Sequence, residues 1–284
     1  MRIGIGTPNS HPSATGQLTL EWAKRAEACG LASVTTIGRV AYPTHEELVS
    51  LAGAAAVTTR IGLMTDVLLG PTRDPVLLAK QAATLDQLSG GRFILGTGVG
   101  NRSDDFQLTG TGFEDRGRRW DESLDLLHRV WRGDPVDGTS TSISPRPTNG
   151  TSVPMMFGGT SEAAVKRVAR WGIGYAATGG AGVEGAGRMF ERVRTAWTQA
   201  GRPGAPICSA LFYFALGPDA ERGRDYLTGY YGSAGDRMWP QVPRDADALR
   251  ELVAGYEQVG ADELVLVPTI ASPEQVDLLA ETVS

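Results

Sequence analysis

Cysteine, histidine and lysine are all scarce in this chain of 284 residues, which holds two cysteines and three histidines. Cys29 and Cys208 lie far apart with no C-x-x-C or ligand spacing. That excludes a disulfide framework and a thiolate metal site, and leaves two reduced core thiols as the expectation. His11, His45 and His128 form no H-E-x-x-H or H-x-H pair, so no metal site is expected. There is no G-x-S-x-G elbow and no P-loop lysine either. Lys24, Lys80 and Lys166 are the only lysines; every other basic residue is arginine, which reads as a compositional habit. No apolar run approaches the roughly 18 residues of a membrane span. The net charge of −5 offers no average attraction to nucleic acid or to an anionic membrane. Ile3-Gly4-Ile5-Gly6 follows the first residues directly, without the charged and apolar regions of a signal peptide, so the cytoplasm is the expected compartment.

What the chain does have is alternation. Short apolar runs at Arg2 to Thr7, Ala32 to Ile37, Ile61 to Leu69, Arg92 to Gly96, Pro154 to Phe157, Tyr175 to Thr178, Ile207 to Leu216 and Glu263 to Val267 are separated by helical patterns. Thr44, with Glu47 three residues on, predicts a capping box for the second helix, and Pro75 opens the third at its first position. Two longer stretches interrupt the rhythm. Asp134 to Thr151 is rich in Pro, Gly, Ser and Thr and reads as an insertion after the fourth unit; Asp219 to Arg250 reads as an extended segment after strand 7 that holds more than one short helix. Eight such units over residues 1–284 predict an α/β fold, a single (β/α)8 TIM-barrel domain. An open doubly wound sheet is the competing arrangement.

In a barrel the site lies at the carboxyl ends of the strands, which shortens the list of candidates. After the first two strands these are Thr7, Pro8 and Asn9, then Ile37, Gly38 and Arg39. Thr65, Asp66 and Val67 follow, and Asp66 is out of pattern inside an apolar run, where a buried charge needs a partner or a role. Gly98 leaves room for a flat ring or a phosphate arm beside Asn101. Gly158, Gly159 and Thr160 let backbone amides approach an oxyanion at a helix start, or merely turn the strand into that helix. Gly179 and Gly180 offer a second set of amides or a plain connector; Tyr213, Pro268 and Thr269 complete the set. Gly96-Thr97-Gly98-Val99-Gly100 is a poor dinucleotide fingerprint, because its third glycine is misplaced and no helix is expected directly after it. His11 is expected to be a solvated loop residue and His128 a structural one; Trp22, Trp120, Trp131, Trp171 and Trp197 fall on predicted helices as packing residues. Tyr230-Tyr231 and Met238-Trp239 lie where they can cover an apolar substrate.

One stretch carries a family likeness. Lys80 to Gly100, followed by Asn101, Asp104, Asp105, Phe106, Arg118, Trp120, Glu122, Leu126 and Trp131-Arg132-Gly133, resembles the signature of the bacterial luciferase-like oxidoreductases. The resemblance implies a barrel enzyme that binds coenzyme F-420 or flavin mononucleotide (FMN) and acts on a small organic substrate. It implies the coenzyme phosphate at Gly158, Gly159 and Thr160, a bulge with a non-prolyl cis peptide at Asp66-Val67 behind the ring, and a homodimer. The F-420 branch predicts hydride transfer; FMN predicts a monooxygenase, and a non-catalytic flavin-binding protein is the third possibility. Many members carry a histidine after the second strand, where this chain has Ile37-Gly38-Arg39. That departure leaves Asp66 and Arg39 as the catalytic candidates.

Overall fold

The computed structural model describes residues 1–136, 138 and 140–283. Its strands are β1 (Arg2–Gly6), β2 (Ser33–Thr36), β3 (Gly62–Thr65), β4 (Leu68–Leu69), β5 (Phe93–Gly98), β6 (Met155–Gly158), β7 (Gly174–Ala177), β8 (Ile207–Phe214) and β9 (Glu263–Pro268). All pair in parallel, in the order β3-β2-β1-β9-β8-β7-β6-β5, and the Leu63–Phe93 and Met64–Ile94 pairs between β3 and β5 close the ring. The result is an eight-stave barrel, as the alternation predicts, and not an open sheet. The third predicted run is interrupted: β3 stops at Thr65, and β4 resumes the same stave at Leu68, paired to Thr97 of β5.

The helices are α1 (Gly16–Ala28), α2 (Glu47–Val57), α3 (Pro75–Leu88), α4 (Ser103–Thr109), α5 (Arg116–Arg132) and α6 (Glu162–Trp171), then α7 (Gly182–Gln199), α8 (Gly223–Tyr231), α9 (Ser233–Met238), α10 (Ala246–Gln258) and α11 (Glu274–Val283). Pro75 does begin α3, where the Asp74 carboxylate accepts from Leu77 N at 2.8 Å. The capping box at Thr44 does not form. Glu46 caps α2 instead, accepting from Val49 N, while the Glu47 side chain turns inward to Arg73 at 2.9 Å. Two more corrections concern helix starts. The short α4 follows β5 closely where only a loop is expected, and α7 begins five residues before the predicted Gly187.

Apolar side chains divide between two layers. Outward-facing strand residues such as Ile5, Leu63, Leu95, Phe157 and Leu266 pack with Trp22, Trp120, Trp131, Phe190 and other helix residues. Inside the barrel, Met64, Met156, Leu211, Val265 and Val267 form a second cluster that continues upward into Tyr213, Tyr226, Tyr230 and Trp239. Both cysteines are free; Cys208 is buried, but Cys29 is exposed at the end of α1 and is not a core thiol. The predicted insertion is tied down by Asp86, whose carboxylate accepts from Thr148 N at 2.6 Å, and by Gln87, which donates to Arg146 O at 2.7 Å. Within it, Asp137 and Thr139 lie outside the described residues.

Candidate active site

The interruption of the third stave shapes the mouth of the barrel. The Asp66-Val67 peptide is cis, at the position the family likeness implies. Asp66 N leaves the β5 side and donates to Thr36 O of β2 at 2.7 Å, while the Thr65 hydroxyl is spent on Gly96 O at 2.6 Å. Val67 is thereby turned up between two glycines. A Cβ at Gly98 would lie 3.0 Å from one Val67 methyl, and a Cβ at Gly158 would lie 3.3 Å from both. Since neither glycine has a side chain, Val67, Gly98 and Gly158 form a low apolar shelf across three staves. Gly179 extends it toward β8, where a Cβ would meet Leu211 and Tyr213 at 3.2 Å.

One end of this shelf runs into a helix start. Gly159 takes a φ of +110°, Thr160 is exposed, and Ser161 rather than Thr160 caps α6, its hydroxyl accepting from Ala164 N at 3.2 Å. Arg192 of α7 stands over this turn, donating to Thr160 O at 3.0 Å and pairing with Glu162 at 3.3 Å. Nothing in its local sequence singles Arg192 out; the packing of α7 against α6 brings it there. Gly180 is exposed on the next turn, and Asn101 is exposed on the lip after β5.

Beneath the lip sits Asp66. It is 8% exposed, and its Oδ2 is buried without a hydrogen-bond partner. Burial, with the Glu263 carboxylate as a lesser cause, pushes its carboxyl up to about 7. Above it, the Tyr213 and Tyr231 hydroxyls meet at 2.5 Å, and burial raises both phenols, with the Asp66 charge a smaller contribution at Tyr231. Arg39 has a different setting. Its guanidinium lies 2.5 Å from Asp104 and 3.6 Å from Asp105, and Asp105 also accepts from Ala41 N at 2.7 Å. A cation held by two carboxylates ties the loop after β2 to α4. Both catalytic candidates keep a buried atom without a hydrogen-bond partner, Asp66 Oδ2 and Arg39 Nε, but Arg39 is already paired with two carboxylates, whereas no cation pairs with Asp66 among the described residues.

The histidines divide likewise. His11 is not a freely solvated loop residue: it stacks on Tyr226 at 5.2 Å with an interplanar angle of 14°, and burial lowers its pKa. His45 precedes α2 rather than lying in its first turn, and His128 packs edge-on against Trp131 within α5. Among the described residues, no group of three or more His, Cys, Asp or Glu side chains is placed to hold a metal ion. The segment after β8 brings Tyr226, Tyr230 and Tyr231 over the mouth from α8, and Trp239 is buried in the same cluster. Tyr230 and Tyr231 lie where the sequence places a substrate cover. Tyr42, Tyr226 and Arg102 join them although the sequence reading singles out none of the three.

A flat shelf that side chains at Gly98 or Gly158 would crowd, ending at a glycine turn and a helix N-terminus, fits a planar ring carrying a phosphate arm. The chain is similar to several known proteins. An uncharacterised protein of Mycobacterium tuberculosis is 32% identical over 212 residues, 63% of this chain and 71% of that one. An F-420-dependent glucose-6-phosphate dehydrogenase of Kribbella flavida is 33% identical over 201 residues, 65% of this chain and 60% of that one. In fold, the chain resembles an F-420-dependent secondary alcohol dehydrogenase in complex with an F-420–acetone adduct (TM-score 0.81, 17% identity, 99% and 98% of the two chains covered). It also resembles the oxygenating constituent of 3,6-diketocamphane monooxygenase from Pseudomonas putida in complex with FMN (TM-score 0.77, 16% identity, 99% and 95% covered). The luciferase-like monooxygenase model matches residues 1–277, and the chain belongs to that family.

Proposed function

We propose that this protein is an oxidoreductase that binds coenzyme F-420 at the mouth of its barrel and moves a hydride between it and a small organic substrate. The observation that carries the reading is the shelf of Val67 between Gly98 and Gly158, continuous with the glycine turn before α6. Val67, Gly98, Gly158 and Gly179 would hold the ring; Gly159, Thr160, Gly180 and Arg192 would hold the phosphate arm, with Asn101 at the lip. Thr65 contributes by pinning the bulge. The Kribbella relative, matched over most of this chain, favours F-420. FMN is the second reading, because the same shelf accepts either tricyclic ring.

When bound, a deazaflavin supplies hydride chemistry. For each hydride that leaves an alcohol carbon, the hydroxyl proton must leave too, and Asp66 receives it at Oδ2; in the opposite direction Asp66 returns it to a carbonyl oxygen. A carboxyl titrating near neutrality serves both directions. Arg39 acts through the loop it secures, not on the reacting atoms. We further propose that the barrel works as a single domain in the cytoplasm and pairs with a second copy through α2 and α3.

Titration of the purified protein with F-420, FMN and riboflavin, followed by fluorescence quenching, tests the reading. Saturable binding of F-420 or FMN is expected; binding of neither overturns it. Gly158→Val is expected to weaken coenzyme binding by about tenfold or more while leaving the circular dichroism spectrum intact, since its side chain must displace Val67.

A further inference from the structure

Five of the chain's seven tyrosines converge on the mouth. Tyr230 and Tyr231 meet edge to face at 4.7 Å, Tyr231 meets Tyr213 at 5.8 Å, and Tyr42 closes on Tyr230 at 5.0 Å. Arg102, from the turn after β5, lies with its guanidinium carbon 5.2 Å from both the Tyr230 and the Tyr231 ring centroids. A wall of this kind differs from ordinary core packing in its unspent polar groups. Tyr213 and Tyr231 share one hydrogen bond, which uses one of their two hydroxyl protons. Among the described residues the second proton has no acceptor, and the nearby Asp66 Oδ2 has no donor. Leaving such groups unpaired in a buried site is costly, whereas an oxygen-bearing ligand satisfies them.

We propose that the wall selects a flat aromatic substrate bearing an oxygen substituent, an aryl ketone or the aryl carbinol it interconverts with, with Tyr231 as the specificity-determining residue. The substrate ring packs against the aromatic and guanidinium faces of Tyr230, Tyr231 and Arg102, and its oxygen takes the free hydroxyl proton of the Tyr213–Tyr231 pair. The shelf then lies on one side of the substrate and the wall on the other. This assignment rests on the reading of the mouth as the coenzyme site.

Calorimetric titration with 2-naphthol and with its saturated counterpart 2-decalol, before and after loading with coenzyme, tests it. The two probes share the carbon skeleton and the position of the oxygen, and naphthalene against decalin, a pair without hydroxyls, separates the ring contribution from that of the more acidic phenolic hydroxyl. The wild-type protein is expected to bind 2-naphthol about tenfold more tightly. Tyr231→Ala and Arg102→Gln are expected to erase that preference. Tyr231→Phe, which keeps the ring, is expected to retain naphthalene binding while losing the advantage of 2-naphthol over naphthalene. Equal binding of 2-naphthol and 2-decalol by a protein that binds coenzyme normally would overturn the assignment and leave the coenzyme reading standing. Failure of coenzyme binding, with the naphthol preference intact in the unloaded protein, would remove the coenzyme reading alone. An unchanged naphthol advantage in Tyr231→Phe would overturn the role of the hydroxyl.

Discussion

Asp66 carries most of the chemical interest at the scale of single residues. Its carboxyl is raised in the folded protein, so between about pH 4 and pH 7 the native state holds a proton that the unfolded chain has released. Stability from this group is therefore fully present below the unfolded value and falls as pH rises toward the folded one. Asp66→Asn removes that dependence. The variant is expected to be more stable than wild type at pH 8 by a few kcal/mol and close to it at pH 4, read from denaturant midpoints at the two pH values. The same substitution is expected to lower kcat/KM by roughly a hundredfold and to erase the limb of the pH profile near 7. A persistent limb would assign the proton to another group. Asp66 was legible in the sequence because a carboxylate interrupts an apolar run. Arg192 and Arg102 were not, because an arginine on a helix or in a turn looks the same locally whether it faces solvent or another element.

At the scale of elements, much of the barrel's precision comes from long polar side chains that lock strand ends to helix ends. Arg92, just before β5, donates to the carbonyls of Ser89, Ile61, Ala55 and Thr58 and to the Thr58 hydroxyl. It thus joins the end of α2, the end of α3 and the start of β3, the stave that later carries Asp66. Arg92→Met keeps much of the aliphatic stem but strands these acceptors, and a loss of about 2 to 4 kcal/mol is expected from urea unfolding. A change below about 0.5 kcal/mol would mean that water replaces the guanidinium at no cost. Periodicity located these strands and helices well, since the 2.0 and 3.6 repeats are written in side-chain polarity. It misplaced the start of α2. There Glu46, not Thr44, supplies the cap, while the Thr44 hydroxyl donates to Arg39 O at 3.2 Å. A capping motif in the sequence names possible partners, and tertiary contacts decide among them.

At the scale of the whole molecule, the outer surface carries a few large apolar side chains. Val49 of α2, Leu77 of α3 and Leu108 of α4 are 72%, 54% and 68% exposed, and α2 packs directly on α3. The proposed pairing through α2 and α3 would cover Val49 and Leu77. Light scattering after size exclusion is expected to give twice the chain mass of 30.1 kDa, and Val49→Glu with Leu77→Glu is expected to give the single mass. A wild-type protein that elutes at the single mass would remove the dimer. Among the described residues, no helix is long and apolar enough to cross a membrane. The eight-stave closure was legible from the alternation of elements. The aromatic cover was only half legible, because Tyr42 and Tyr226 lie 184 residues apart in the chain and come together only in the closed ring, where Tyr230 makes ring contact with both.

The divided third stave also sets how the rim of the barrel is held. Below the break, β3 and β5 pair at Leu63–Phe93 and Met64–Ile94; above it, β4 and β5 pair at Leu68–Thr97 and Leu69–Gly98. Between them Asp66 turns its amide to β2 instead. β4 thus pairs with β5 alone, whereas β3 below it pairs with both β2 and β5. The edge of the mouth is held by backbone from one side, and the hydroxyls of Thr65 and Thr97 stitch it to β5 at Gly96 O and Leu68 O.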